Sequence, residues 1–304
     1  VDLLAGFDIG GTSTRCAIAA PEAPATILHT CSQATPHSGV ADTLDCAFGL
    51  LAQNLARLDG NANVVASGCV APGMADVRRG IIIEASNLPF WTEVPLMELL
   101  RQRLPVAMAI ANDVNAATLA EALTGAGRGQ SPVVYVTIST GVAAGVVING
   151  SIIHGAHYCA GEISNMIVER CCLDKDWGTN GCLELTAAGV GLAANWAKVE
   201  GGKVHARRAI EVFDAADAGD ARAVRLIEQM HDYLAQAALA IATVLDPSRI
   251  ILGGSIGLKR PAIARRMEEV LKKNLLYPPR VMPAALGEEA PMIGALHLAM
   301  EALG

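Results

Sequence analysis

Two short stretches of this chain have the residue types and spacing to hold phosphate. The first is Asp8-Ile9-Gly10-Gly11-Thr12, which follows an apolar run over residues 3–7 that reads as a buried strand. Two glycines after a strand let the backbone turn with φ > 0 and come close to a ligand. Free amides and hydroxyls in such a turn make a concavity suited to phosphate oxygens. The Asp8 carboxylate would repel those oxygens unless a cation lay between them, which points to Mg2+ held directly or through its water shell. Taken alone, the stretch reads equally well as an ordinary hairpin turn. The second stretch, Ser139-Thr140-Gly141-Val142-Ala143-Ala144-Gly145, repeats the design of apolar strand, Gly/Thr turn and strand about 130 residues later. Two related halves, each offering a phosphate turn, make a stronger case than one turn alone.

A third stretch carries a carboxylate. A strand over 106–111 ends in Asn112-Asp113, and a helix continues over 116–123. A carboxylate at the mouth of a strand sits where α/β proteins keep ligands. Asp is also a good helix N-cap, and both readings of Asp113 stand at this point.

The elements that must position these residues can be read from periodicity and punctuation. After the first turn comes a strand over 14–20 that pairs back as a hairpin. A further strand follows over 26–32, then a helix over 40–58 and a strand over 63–69. Residues 70–74 form a turn, 79–83 a strand, 87–91 a loop and 95–104 a helix. Asn149-Gly150 between apolar runs is a strong hairpin signal. Residues 154–185 read as irregular. Helices are expected over 186–199, 207–218 and 221–245, a strand over 249–252, a helix over 261–275, a strand over 282–286 and a helix over 293–303.

The chain has 304 residues, which fits two domains or one large one. Hydrophobic residues make up 52% and aromatics 4%, so the core is built from Ala, Val, Leu and Ile. A net charge of −7 without a Lys/Arg block argues against nucleic acid or an anionic membrane as main partner. Residues 133–153 lack charge, but their Thr, Ser, Asn and Gly content reads as strands and a hairpin, not a membrane span. No signal peptide is seen, and eight scattered cysteines read as reduced thiols, so a cytoplasmic location is expected.

With these motifs in this order, the chain resembles the ROK family of sugar kinases over essentially its whole length. Asp8-Ile9-Gly10-Gly11-Thr12 matches the first phosphate motif, and Ser139 to Gly145, with Thr140 and Gly141, the second. Ala71-Pro72-Gly73 and Asn87-Leu88-Pro89-Phe90-Trp91 look like sugar-side loops, and Asn112-Asp113 the dipeptide carrying the catalytic base. Gly161-Glu162-Ile163 and Gly181-Cys182-Leu183-Glu184 lie in the signature region, and Leu252-Gly253-Gly254-Ser255 is similar to the adenosine motif. The resemblance implies an α/β, actin-like (ribonuclease H-like) ATPase fold of two domains around a cleft. The small domain would hold 1–112 with a terminal helix over 293–304, and the large domain 113–292. It implies ATP and Mg2+ as cofactors and a sugar as substrate. It implies transfer of the γ-phosphoryl of ATP to a hydroxyl, usually O6, with Asp113 as base. Gly73, Asn87, Asn112, Asp113, Glu162, Asn165 and Glu184 would contact sugar. Family members are commonly dimers, so a homodimer is expected.

The chain departs from the family pattern in places. Family kinases usually carry a structural zinc held by a His and three Cys. Here Asn165 stands in the His position, Lys175 and Trp177 in two Cys positions, and only Cys182 remains. One ligand of four cannot hold zinc tetrahedrally, so no structural zinc is expected. Cys171, Cys172, His154 and His157 lie nearby without ligand spacing, and Trp177 is the expected replacement for metal. Tyr158 replaces a frequent Gly before Glu162, and Ala143 and Ala144 replace glycines of the second turn. Buried Glu162 and Glu184 would be costly unless paired. Glu184 has a second reading as a helix N-terminal charge.

The reading that results is an ATP-dependent kinase of a hexose or N-acetylhexosamine, leaning to N-acetylmannosamine, with glucose as the alternative. From another class stands a catalytically weak sugar-binding regulatory protein. A DNA-binding repressor is disfavoured by the acidic charge.

Overall fold

The computed structural model describes residues 1–58, 60–85, 87–170, 173–176, 181–201 and 208–304. In chain order come β1 (Asp2–Ile9), β2 (Ser13–Ala19), β3 (Ile27–Ala34), α1 (Val40–Leu55), β4 (Asn63–Ala71), β5 (Met74–Asp76), β6 (Ile81–Glu84), β7 (Thr92–Val94), α2 (Leu96–Arg103), β8 (Ala107–Asn112) and α3 (Asp113–Leu123). These are followed by β9 (Val133–Ile138), β10 (Val142–Ile148), β11 (Ser151–Ile152), α4 (Cys182–Ala187), α5 (Gly189–Glu200), α6 (Ala209–Asp217) and α7 (Ala221–Leu245). The chain ends through β12 (Arg249–Gly253), α8 (Gly254–Lys259), α9 (Ala262–Asn274), β13 (Arg280–Pro283) and α10 (Ala290–Leu303).

Two compact units result. Unit 1 is Val1–Gly125 with Gly150–Ala160 and Glu288–Gly304, and unit 2 is Ala126–Asn149 with Gly161–Gly287. The expected break after Asn112 is corrected: α3 belongs with unit 1. The reason is close packing on α10, where a Cβ on Gly294 would lie 2.1 Å from the Ala116 carbonyl oxygen.

In unit 1 the main sheet runs β3-β2-β1-β4-β8, with β5-β6-β7 as a small second sheet. β1 pairs antiparallel with β2 and parallel with β4, and β4 runs parallel to β8. Its central strand is buried on both faces, which is why Leu3, Leu4, Ala5, Phe7 and Ile9 form a near-continuous apolar run. One face carries Phe7, Cys16 and Cys69 against Leu44, Ala47 and Leu50 of α1. The other carries Leu4, Ala17 and Ala66 against Met292, Leu296 and Ala299 of α10. Gly68 permits that second contact, since a Cβ there would fall 1.9 Å from the Ala295 carbonyl oxygen.

Unit 2 repeats the plan. β9 pairs antiparallel with β10 and parallel with β12, which runs parallel to β13. Val134, Val136 and Ile138 pack with Leu192, Leu234 and Met267 from α5, α7 and α9. The internal repeat read from the two Gly/Thr turns is thus a repeat of strand order. Asn149 and Gly150 both have positive φ (52° and 81°), the geometry expected of a tight hairpin turn.

Some element boundaries are corrected. Residues 142–145 are not turn: β10 starts at Val142, so Ala143 and Ala144 are strand residues opposite Thr137 and Val136. The helix expected over 186–199 is two helices, α4 and α5, broken at Ala188 in an extended conformation. The last strand ends at Pro283, not 286. Among the described residues no helix is long and apolar enough to cross a membrane.

Candidate active site

The candidate residues of unit 1 gather at one edge of its sheet. In register, Asp8 of β1 lies beside Val70 of β4, and Ala71 beside Asn112 of β8. Asp8, the Pro72-Gly73 turn and Asn112-Asp113 therefore all emerge at the C-terminal ends of adjacent parallel strands, where open α/β sheets bind ligands.

The first phosphate turn is tight, but not for the expected reason. Neither Gly10 nor Gly11 has positive φ. What glycine supplies is room: a Cβ on Gly11 would lie 2.8 Å from the Asn87 carbonyl oxygen, and one on Gly10 2.9 Å from that of Ser13. Two predicted residues, Gly11 and Asn87, are thereby brought together. The Gly10 amide donates to the Ser13 carbonyl at 2.9 Å, and its carbonyl accepts from Thr35 Oγ1 at 2.6 Å, so Gly10 shapes the turn with both backbone groups engaged. Thr12 is exposed beyond it. Gly73 does have positive φ, 87°, and a Cβ there would strike the Glu84 carbonyl oxygen at 2.0 Å.

Asp8 has a partner that sequence reading missed. Arg15 donates to its Oδ2 from Nε at 3.0 Å and Nη2 at 2.6 Å. Burial pushes the Asp8 carboxyl up, and the Arg15 charge and hydrogen bond oppose that shift. The expected β1–β2 hairpin contained the signal, because it sets Asp8 directly across from Arg15.

Asn112 and Asp113 divide the roles considered for Asp113 alone. Asn112 is the N-cap of α3: its Oδ1 accepts the Asn115 amide at 2.7 Å. Asp113 is the first helical residue, with Oδ1 accepting the Val114 amide at 2.9 Å.

In unit 2, Thr140, Gly141, Glu184 and Gly254 converge. Glu184 Oε2 accepts the Val142 amide at 3.1 Å, and a Cβ on Gly141 would sit 2.4 Å from that same oxygen. Glu184 also lies in the first turn of α4, so its helix-terminal reading holds as well. Ser139 Oγ and Ser255 Oγ are 2.9 Å apart, tying the second phosphate turn to the strand-end glycines. Gly254 has φ 77°, and a Cβ there would meet the Ile138 carbonyl oxygen at 2.4 Å. Gly253 ends β12 opposite Thr137.

Glu162 is exposed, not buried, and Asn165 is exposed at the end of a short 3-10 turn. Protein packed around the Glu162 carboxyl raises its pKa. Glu184 is half-buried and is likewise raised, first by burial and further by the Glu162 charge, while the Val142 hydrogen bond opposes it. Cys182 is fully buried in the core of unit 2. Trp177, Cys171 and Cys172, which bear on the degenerate zinc region, lie outside the described residues.

A cavity of about 660 Å3 opens beside Ser139 and Thr140, walled by Val190, Phe213 and Ile256. That volume is in the range that takes a nucleoside-sized ligand. The Arg260 guanidinium stacks 4.1 Å above the Phe213 ring and pairs with Asp217 at 3.3 Å. The adenosine motif Leu252 to Ser255 runs into α8 beside this wall, but Phe213 and Arg260 themselves gave no motif in the sequence.

The profile of the ROK family matches residues 4–302. The chain belongs to the ROK family. ROK relatives include a glucokinase of Halalkalibacterium halodurans, 28% identical over 95% of this chain and 92% of its own. Another is the bifunctional enzyme NanE/NanK of Brucella melitensis, 29% identical over 96% of this chain and 53% of its own. The ROK hexokinase of Thermus thermophilus has TM-score 0.85 at 28% identity, covering 98% of this chain and 97% of its own. A ROK glucokinase of Streptomyces griseus, solved with glucose and AMPPNP, has TM-score 0.76 at 26% identity, covering 98% and 99%. The two α/β units are those of the actin-like ROK fold.

Proposed function

We propose that this ROK chain is an ATP-dependent sugar kinase that transfers the γ-phosphoryl of ATP to a hydroxyl, O6, of a hexose or N-acetylhexosamine. The observation that carries this reading is the division of labour at the start of α3. Asn112 caps α3 through the Asn115 amide, and Asp113 beside it sets a carboxylate at the C-terminal end of β8, where its Oδ1 accepts the Val114 amide. A sugar hydroxyl is a poor nucleophile. Asp113 takes its proton as the oxygen attacks the γ-phosphorus, and the bond to the β–γ bridging oxygen breaks to release ADP. General-base help of this kind is typically worth about 10²–10⁴ in rate.

ATP is assigned to unit 2, with its base in the cavity beside Phe213 and its phosphates toward Thr140 and Gly141. That a ROK glucokinase of Streptomyces griseus was solved with glucose and AMPPNP supports ATP as the nucleotide, and the cavity of unit 2 supports its place. Among the described residues no group of three or more His, Cys, Asp or Glu side chains is placed to hold a metal. Asp8, whose Oδ2 is held by Arg15, is the acidic side chain of the first turn that would receive the waters of a Mg2+ ion. Such an ion neutralises charge on the phosphoryl oxygens. Glu162 and Glu184, with raised pKa values, suit hydrogen bonds from sugar hydroxyls.

N-acetylmannosamine is the favoured acceptor, supported by the NanE/NanK relative, with glucose second. The test is coupled ADP release with Mg-ATP over glucose, N-acetylglucosamine, N-acetylmannosamine, mannose, fructose and allose. Turnover on one sugar, reduced at least about 10²-fold in Asp113→Asn, is expected. Sugar binding without turnover on any of them would favour the regulatory reading.

A further inference from the structure

The cavity of unit 2 beside Ser139 and Thr140 is lined by three charged side chains among the described residues, Arg208, Lys259 and Arg260. All three are cations, with N–H donors and no acceptor atom. Arg208 faces Glu211 at 3.8 Å, and Lys259 is exposed at the end of α8. Arg260 is held more firmly. Its backbone amide donates to the Ile256 carbonyl at 3.1 Å, where α8 stops. Its guanidinium lies 4.1 Å from the centroid of the Phe213 ring, and its Nη1 donates to Asp217 Oδ2 at 3.3 Å. Phe213 is itself buried in the core of unit 2, so the ring is a fixed platform.

Stacking and one ion pair therefore orient the guanidinium while using one of its three nitrogens. Among the described residues, Nε and Nη2 of Arg260 have no hydrogen-bond partner. An Arg fork suits two acceptors set side by side. Purines differ on this point. Guanine and hypoxanthine carry the acceptors N7 and O6 next to each other, whereas adenine sets N7 beside an N6 amino donor. That amino group would face a cation. The apolar Val190 and Ile256 suit the faces of either base, and only the rim tells the bases apart.

We infer that Arg260 is a specificity-determining residue for the nucleotide, and that the phosphoryl donors of this chain include the 6-oxopurine triphosphates GTP and ITP, used at least as well as ATP. Arg260 donates to N7 and O6 of the base, with Phe213 behind the guanidinium and Asp217 holding its far end. A bidentate contact of this kind discriminates by about tenfold or more.

This inference rests on the kinase reading with the nucleotide in this cavity, and its test separates the two. Sugar phosphate formed from ATP, GTP, ITP and 7-deaza-GTP gives kcat/KM for the chain, Arg260→Met and Arg260→Lys. The expected result is that GTP or ITP at least matches ATP in the unsubstituted chain. 7-Deaza-GTP, which lacks the N7 acceptor, should fall about tenfold below GTP. In both variants the ratio of the better 6-oxopurine donor to ATP should fall about tenfold, since Met keeps only the apolar stem and Lys only the charge. ATP ahead of both GTP and ITP overturns the inference, as does a 7-deaza-GTP rate equal to that of GTP or a ratio unchanged in Arg260→Met. A ratio kept by Arg260→Lys assigns the effect to charge and overturns the fork. If a melting curve shows Arg260→Met to be unfolded, Arg260→Lys and the 7-deaza comparison decide. If no sugar is phosphorylated, the kinase reading fails by itself. Titration calorimetry with ADP, GDP and IDP then decides the cavity, and ADP bound more tightly than both others, or no nucleotide bound, overturns the inference.

Discussion

Glu184 Oε2 accepts the amide of Val142 at 3.1 Å, in space that stays open because residue 141 is glycine. One carboxylate thus fixes the backbone of the second phosphate turn and stands next to the Glu162 charge. Gly141→Ala would put a methyl 2.4 Å from that oxygen and push the carboxylate away. We expect kcat/KM to fall about tenfold, the scale of one hydrogen bond to a charged group, with little change in thermal stability. Steady-state kinetics beside a melting curve checks both halves.

Gly161→Ala should behave in the opposite way. Gly161 has φ 93°, and an added Cβ would lie 2.0 Å from the Ala144 carbonyl oxygen, a backbone atom that cannot swing aside. Loss of stability by about 2 kcal/mol or more is expected, read by denaturant unfolding.

Asn112→Ala and Asp113→Asn should separate folding from chemistry. Loss of the cap should cost about 1 kcal/mol of stability. Asp113→Asn should keep the melting temperature within a few degrees and lose turnover by about 10² or more. Unfolding curves and ADP release on the same two samples decide it.

A pH dependence follows from the acidic pair. Glu162 and Glu184 both have pKa values raised above the ordinary Glu value. The folded state therefore binds more protons than the unfolded state between the ordinary and the raised values. Their contribution to stability is present in full below the ordinary Glu pKa and is lost as pH rises through the folded values. Glu162→Gln should flatten that part of the stability–pH curve, measured by melting temperature from pH 4 to pH 8. A slope unchanged by the substitution would count against the pair.

The legible part of the structure was the part written in local pattern. The β1 and β9 runs, the Asn149-Gly150 hairpin and the order of the motifs could all be read directly from residue type and spacing. What could not be read was which of several chemically equivalent roles a residue takes. Asp113 reads as a good cap until the chain is folded, and then Asn112 has the position. Gly10 and Gly11 read as residues needed for positive φ, and instead provide clearance for Asn87 and for the turn itself. Ala143 and Ala144 read as replacements for glycines of a phosphate turn because the start of β10 was set too late. Arg15 was missed although the predicted hairpin already set it across from Asp8. The Phe213–Arg260 wall depends on packing between helices far apart in sequence, for which a single chain offers no local signal.

The position of α10 has a consequence for biosynthesis. The β1–β4 face around Gly68 is covered by a helix that begins at Ala290, and residues 161–287 of the other unit come before it in the chain. At usual translation rates, that face waits on the order of ten seconds or more after β4 has been made. During this time Leu4, Ala17 and Ala66 lack their cover. The nascent chain therefore presents an apolar sheet face to chaperones until α10 has left the ribosome.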